Sequence, residues 1–336
     1  MNIDFIEASG IFTGKDTPFF GHLQHWSDNK ATGRQTYILE GCRKIQIYYT
    51  PSSGMLVLRG SIMYFAQGHN FTFDKQLFVE AIDYIGQLLH VSLWGMYINI
   101  LECGVIVEVD QKPKAYIQNH REGKGMLLYS NPKDKGNFRS FNDKLAERKM
   151  YDAGRNIQHK QGTSMKEIIQ EAGWNPDGHF LKWEVHYIKP EILLNHGRGI
   201  LLAEIVNPHW TEVFKADIYS QYKHIIPMKS IIPPSEKSDL HAMDIFAIEL
   251  VEANLNEGRT IEEVKKLLYD RINASAILSK SDKDARKRQV KATLDKLAEA
   301  DQSAWDISKK LEEALNLEGI STSEETNNIT SNINPL

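Results

Sequence analysis

The chain has 336 residues, 41% of them hydrophobic, and a formal net charge of −4. That length buries a substantial core and leaves room for more than one compact unit. No apolar run nears the ~20 residues of a spanning helix, and residues 1–7 have neither a basic region nor an apolar signal core, so a cytoplasmic protein without a membrane partner is expected.

Net acidity does not advertise nucleic-acid binding, but the charge is uneven. Residues 111–161 carry 12 Lys and Arg against 5 Asp and Glu, and residues 236–336 carry 14 against 20. A nucleic-acid footprint belongs to one face, so the basic stretch outweighs the whole-chain balance. Cys42 and Cys103 sit in predicted strands and read as reduced, buried small hydrophobes.

Residues 1–60 are β-rich. Segments 35–49 and 55–59 flank Pro51-Ser52-Ser53-Gly54, a hairpin with turn chemistry. A Gly68-His69-Asn70 turn precedes a helix over 74–89, capped by Asp74 and striped by Leu77, Phe78, Ala81, Ile82 and Ile85. A long strand follows over 97–110. One of its faces carries Glu102, Glu108 and Asp110. Glu102 lies inside the apolar run, where a lone carboxylate is costly unless paired or bound to a metal.

A basic, turn-rich segment spans 112–141. Its aromatics, Tyr116, Tyr129, Phe138 and Phe141, suit either base stacking or core packing. Tyr151 stands near Arg148, Lys149 and Arg155. A short helix is predicted over 164–172, with Ser164 and Glu167 at capping-box spacing. In the strand Leu181-Lys182-Trp183-Glu184-Val185-His186-Tyr187, alternation puts Glu184 and His186 on one face. That pair reads as metal ligands or as a solvated polar face. Asn207-Pro208 starts a helix over 208–222, and Pro227 with Pro233-Pro234 marks a boundary.

Helical periodicity then fills 239–254, 261–276 and 283–315, with a capping box at Thr260 and Glu263. The run Lys283, Arg286, Lys287, Arg288 and Lys291 reads as a phosphate grip or as a solvated face. The expected organisation is an α+β core over 1–235, a helical unit over 236–317 and a polar, disordered tail over 318–336.

Together, Tyr151, the acidic face led by Glu102, and Glu184 with His186 suit attack by a tyrosine on a phosphodiester. Carboxylates and one imidazole would hold Mg²⁺ or Mn²⁺. Basic groups, including Lys133, Lys135, Arg139, Arg148, Lys149 and Arg155, would hold flanking phosphates.

The ordered set Arg59-Gly60-Ser61-Ile62, Gly68-His69-Asn70-Phe71, Leu101-Glu102-Cys103-Gly104-Val105-Ile106, Tyr151-Asp152-Ala153-Gly154 and Lys182-Trp183-Glu184-Val185 resembles replication initiators of the filamentous-phage gene II/X type. It is more distantly similar to the rolling-circle plasmid initiators of the Rep_trans type. The resemblance covers roughly residues 36–230. It implies a β-sheet nickase core with packed helices and a metal-dependent, site-specific endonuclease. Tyr151 would hold the 5′ end as a phosphotyrosine and leave a 3′-hydroxyl. Glu102 and Glu184 would bind the metal, with His186, Glu108 or Asp110 as further members. Arg286 and Lys287 join the DNA-binding expectation. The partners implied are origin DNA, single-stranded or hairpin, and a host polymerase and helicase, with a homodimer as a further option. Two departures stand out: Ile100 precedes Glu102 where a basic residue is common, and Ala153 stands where Lys often follows Tyr-Asp. A non-catalytic DNA-binding replication protein and a mobilisation relaxase are the competing readings.

Overall fold

The hairpin expected at Pro51–Gly54 forms because Gly54 has φ +66°, and a Cβ there would lie 2.6 Å from the Phe12 carbonyl oxygen. Around it, the computed structural model describes residues 1–39, 42–155, 165–171, 173–194, 196–229, 242–298 and 305–317. The expected tail over 318–336 lies outside the described residues.

The strands are β1 (Asn2–Ile11), β2 (Leu23–Asn29), β3 (Arg34–Leu39), β4 (Cys42–Thr50), β5 (Met55–Gly60), β6 (Tyr97–Val109), β7 (His120–Gly123), β8 (Leu127–Tyr129), β9 (Phe138–Asn142), β10 (Ala146–Asp152), β11 (His179–Ile188) and β12 (Ile225–Pro227). The helices are α1 (Ile62–Gln67), α2 (Lys75–Leu89), α3 (Pro113–Asn119), α4 (Met165–Glu171), α5 (Pro190–Leu193), α6 (Pro208–Lys223), α7 (Ala242–Asn256), α8 (Ile261–Ala274), α9 (Lys280–Ala298) and α10 (Ser308–Leu315). The fold class is α+β, as expected. No helix among the described residues is long and apolar enough to cross a membrane.

The chain divides into two compact units. The first comprises the described residues within 1–118, 122–225 and 308–317. It is built on a ten-stranded sheet in the order β2-β3-β4-β5-β1-β6-β11-β10-β9-β8. Every pairing in that sheet is antiparallel. The segment read as one strand over 35–49 is two, β3 and β4, paired antiparallel.

One face of the central strands is apolar: Leu101, Cys103 and Val105 of β6, and Trp183, Val185 and Tyr187 of β11, are buried. Helix α6 covers this face with Phe214, Ile218 and Tyr222. Each such fully buried large side chain contributes roughly 1.5–3 kcal/mol. Two polar tips are met in the process. Trp183 Nε1 donates to the Ile218 carbonyl at 3.0 Å, and Tyr187 Oη donates to Asp217 at 2.8 Å. The expected start of α6 holds, since the Asn207 side chain accepts from the His209 amide. Asp74 caps α2 by accepting from Gln76 and Leu77.

The second unit comprises residues 119–121 and 226–307. Helices α7, α8 and α9 close a small core of Ile248, Val251, Leu255, Val264, Leu294 and Leu297. The capping box at Thr260 and Glu263 is present. The single helix read over 283–315 is two, and α10 belongs to the first unit, where it buries Leu311 and Leu315.

Candidate functional site

Antiparallel register assembles the site on the face of the sheet away from α6. Across β6 and β11, Glu102 pairs with His186, Gly104 with Glu184 and Ile106 with Lys182. Across β11 and β10, His186 pairs with Glu147, Glu184 with Lys149 and Lys182 with Tyr151. On the other side of β6, Phe5 pairs with Glu102. Directly paired residues share a face, so Glu102, Glu184, His186, Lys149, Lys182 and Tyr151 all project together. Glu102, Glu184, Lys149 and Tyr151 form the floor of a cleft of about 940 Å³, walled by Lys44, Gln46, Arg59, Tyr64, Lys133 and Arg155 among others, while Lys182 and His186 lie outside its lining.

Gly104 sits beneath Glu184. A Cβ there would lie 2.7 Å from the Trp183 carbonyl oxygen and 3.2 Å from Glu184 Cα. The glycine is therefore what lets β11 approach β6 closely at the carboxylate.

Tyr151 Oη donates to Glu184 Oε2 at 2.7 Å. Lys149 Nζ donates to Glu102 and, at 3.2 Å, to Glu184 Oε1. Lys182 Nζ lies 2.5 Å from Asp4 Oδ2 and 3.5 Å from Glu184 Oε2. Asn70 donates to Asp4, and the Asn2 side chain donates to the carbonyls of Asn70 and Phe71. The Gly68-His69-Asn70 turn is thereby tied to the site, and Phe71 packs beside it with Ile106, Ala153, Ile169 and Phe180.

The charges in this cluster perturb one another. Burial raises the Tyr151 hydroxyl well above the ordinary tyrosine value, and the carboxylates of Glu184, Asp4 and Glu102 add to the rise. Burial pushes Asp4 up to about 8. Burial raises Glu102 too, aided by the Glu184 charge. For Glu184 burial also favours the neutral acid. The hydrogen bond with Glu102 and the Lys182 and Lys149 charges overcome it and hold the carboxyl well below the usual range. Burial works against both ammoniums, yet their carboxylate neighbours raise Lys149 and Lys182. At neutral pH the site therefore holds two ammoniums, an ionised Glu184 and a protonated tyrosine.

The expected site is assembled in part. Tyr151, Glu102, Glu184 and His186 come together, with His186 Nδ1 at 3.7 Å from Glu102 Oε2. Glu108 and Asp110 do not join them. Six or more residues along β6 put them about 20 Å from Glu102 or further at ~3.3 Å per residue. Both are exposed, and Asp110 pairs with Lys310 at 3.4 Å.

The donor set for Mg²⁺ or Mn²⁺ is chemically suitable, but its arrangement does not fit a bound ion. Lys149 Nζ occupies the space between Glu102 and Glu184. Among the described residues no group of three His, Cys, Asp or Glu side chains is disposed to hold a metal.

The basic residues divide. Lys133, Lys149 and Arg155 line the cleft, whereas Lys135 is exposed outside its lining. Arg148 is a correction: it is 2% exposed and lies on the α6 side. Its guanidinium donates to Gln221 Oε1 at 2.9 and 2.7 Å and meets Asp143 at 2.7 Å. A buried, fully paired guanidinium does not reach a phosphate. Arg139 shares that opposite face and donates to the Gln118 carbonyl at 3.1 Å. Arg286 and Lys287 stand on α9 of the second unit, with Arg286 exposed and Lys287 5.9 Å from the Tyr269 ring centre. Of the aromatics, Phe138 lines the cleft and Tyr129 is exposed, whereas Tyr116 and Phe141 are core.

Sequence reasoning missed Asp4 and the role of Lys182. Both are ionisable residues inside apolar strands, the same signal that singled out Glu102.

No protein-family model matches this chain, and no curated protein matches it. A solved structure of a rolling circle replication initiator protein from Geobacillus stearothermophilus is similar at 10% identity, with a TM-score of 0.36, covering 70% of this chain and 89% of that one. At that score and identity neither fold nor activity is transferred.

Proposed function

We propose that the chain is a rolling-circle replication initiator that nicks and rejoins one strand of origin DNA through a phosphotyrosine. The observation that carries this reading is Tyr151 hydrogen-bonded to the ionised Glu184 on the floor of a cleft whose walls include Lys44, Arg59, Lys133 and Arg155. A nucleophile beside a proton acceptor is the arrangement a phosphoryl transfer needs.

In the proposed step Tyr151 Oη attacks the phosphorus of a single-stranded segment. Its proton passes to Glu184, the P–Oη bond forms and the P–O3′ bond breaks. The departing 3′-oxygen takes a proton from water. The phosphotyrosine keeps the bond energy, so attack by a 3′-hydroxyl reverses the step and rejoins a strand. A host polymerase would extend the free 3′-hydroxyl, and a helicase would unwind ahead of it. Phe138 in the cleft wall offers a face for an unpaired base.

The test is incubation with single-stranded oligonucleotides tiled across the replicon that encodes the chain, with Mg²⁺, with Mn²⁺ and with neither. A covalent adduct mapped to Tyr151 by mass spectrometry is expected, and Tyr151→Phe should abolish it while retaining DNA binding. Binding without an adduct in every condition would favour the non-catalytic reading.

A further inference from the structure

The cluster holds more charge than a tyrosine and a proton acceptor require. Four adjacent strands contribute Asp4 (β1), Glu102 (β6), Lys182 and Glu184 (β11), and Lys149 (β10). Lys182 is 1% exposed and Glu184 3%. Burying so many ionisable groups is tolerated only where each is paired.

The pairing has a definite geometry. Lys182 lies below the cleft, outside its lining, and ties Asp4 to Glu184. Lys149 lines the cleft and ties Glu102 to Glu184. An ammonium carries three N–H donors. Two of these serve Glu102 and Glu184, and a third carboxylate, Glu147, lies 4.0 Å away. The third donor is therefore available to a group entering the cleft. His186 Nδ1, the nitrogen that would complete a metal set, is buried without a hydrogen-bond partner, 3.7 Å from Glu102.

We infer that Lys149 is the built-in cation of this site: its ammonium holds the place between Glu102 and Glu184 that a divalent ion would need, and it meets the phosphate oxygens when Tyr151 attacks. The inference rests on the phosphodiester reading above for the identity of the anion, but not for the exclusion of the ion. The electrostatics follow from the contacts. A divalent cation entering between Glu102 and Glu184 would face the Lys149 and Lys182 ammoniums at close range. Each of those positive charges opposes a second cation at that point. A phosphate entering the cleft meets the Lys149 ammonium as a partner. No bond to Lys149 forms or breaks in this role. The ammonium keeps its proton and offsets the charge that develops on the phosphoryl oxygens.

Two measurements test this. The first is titration of Mn²⁺ against stoichiometric protein, followed by the electron paramagnetic resonance of the free ion. The wild-type chain should leave the free signal undiminished. Lys149→Met, which opens the space between the carboxylates and His186, should take up one Mn²⁺ per chain. One Mn²⁺ bound by the wild type and lost in Glu102→Gln would overturn the inference, and so would a folded Lys149→Met that takes up none. The wild-type titration decides the question alone if Lys149→Met does not fold.

The second measurement is the rate of adduct formation with a chelator present. The wild type should change less than about threefold, and Lys149→Met should lose about 100-fold, the scale of removing one preorganised charge contact. Lys149→Arg, which keeps the charge, should retain more activity than Lys149→Met. Loss of the adduct on chelation with recovery on Mn²⁺ would overturn the inference. Absence of any adduct under all conditions would remove the proposed function, while the Mn²⁺ titration would still decide which cation the site holds.

Discussion

Glu184 Oε2 accepts a hydrogen bond from Tyr151 at 2.7 Å and lies 3.5 Å from Lys182 Nζ, so one carboxylate oxygen serves both the candidate nucleophile and a buried cation. The hydrogen bond with Glu102 and the Lys182 and Lys149 charges hold the group ionised while 3% exposed, and under the proposed function it is the acceptor for the tyrosine proton. Glu184→Gln keeps the shape and removes the charge. Its adduct rate should fall about 10²–10⁴-fold, the usual scale for a positioned acid or base. Quench-flow or gel time courses on a single-stranded oligonucleotide check this, with circular dichroism as the folding control. An unchanged rate would remove Glu184 from the proton path.

Gly104→Ala tests how closely the strands must approach. The new methyl would meet Trp183 O and Glu184, neither of which is a flexible chain end. Overpacking at such a point costs typically about 1–3 kcal/mol. A lower urea midpoint and a slower adduct rate are both expected. Wild-type values for both would show that β11 shifts without cost.

Arg148→Ala should act on stability alone. The substitution leaves Gln221 and Asp143 without their guanidinium partner on the buried face. Leaving the buried Gln221 oxygen without its donors costs about 1–3 kcal/mol, and urea denaturation measures it. Affinity for single-stranded DNA, compared by fluorescence anisotropy, should not change. A drop in affinity with full stability would return Arg148 to the DNA-binding set.

Asp4 gives the fold a pH dependence. Burial raises its carboxyl from 3.8 to about 8, with Glu184 adding to the rise and Lys182 opposing it. Between those values the folded chain keeps a proton that the unfolded chain has lost. The stabilisation is therefore complete below about 4 and is lost as pH rises towards about 8. Glu102, also raised, contributes with the same sign. Glu184, held low, contributes the opposite slope at acid pH. Unfolding free energies of the wild type should fall between pH about 5 and about 8. Asp4→Asn, which does not titrate, should flatten that decline, and an unchanged slope would refute the assignment.

The sequence by itself determined much of this protein. Alternating apolar residues placed β6 and β11, Pro and Gly placed the hairpin at 51–54, and Asp74 and Asn207 marked the starts of α2 and α6. Those signals are local, since capping, turn geometry and side-chain period act over a few residues. The burial argument that singled out Glu102 in an apolar strand is also local. It applies with equal force to Asp4 and Lys182, which belong to the same cluster. What the tertiary structure alone decided is which strand lies beside which, and in what register. The order β1-β6-β11-β10 brings Lys149 between Glu102 and Glu184, and it puts Glu108 and Asp110 out of reach. Arg148 and Lys149 are neighbours in the chain, yet one is sealed under α6 and the other opens on the cleft. A one-residue step on a strand reverses the face, and only the pairing of strands says which face becomes core and which becomes site.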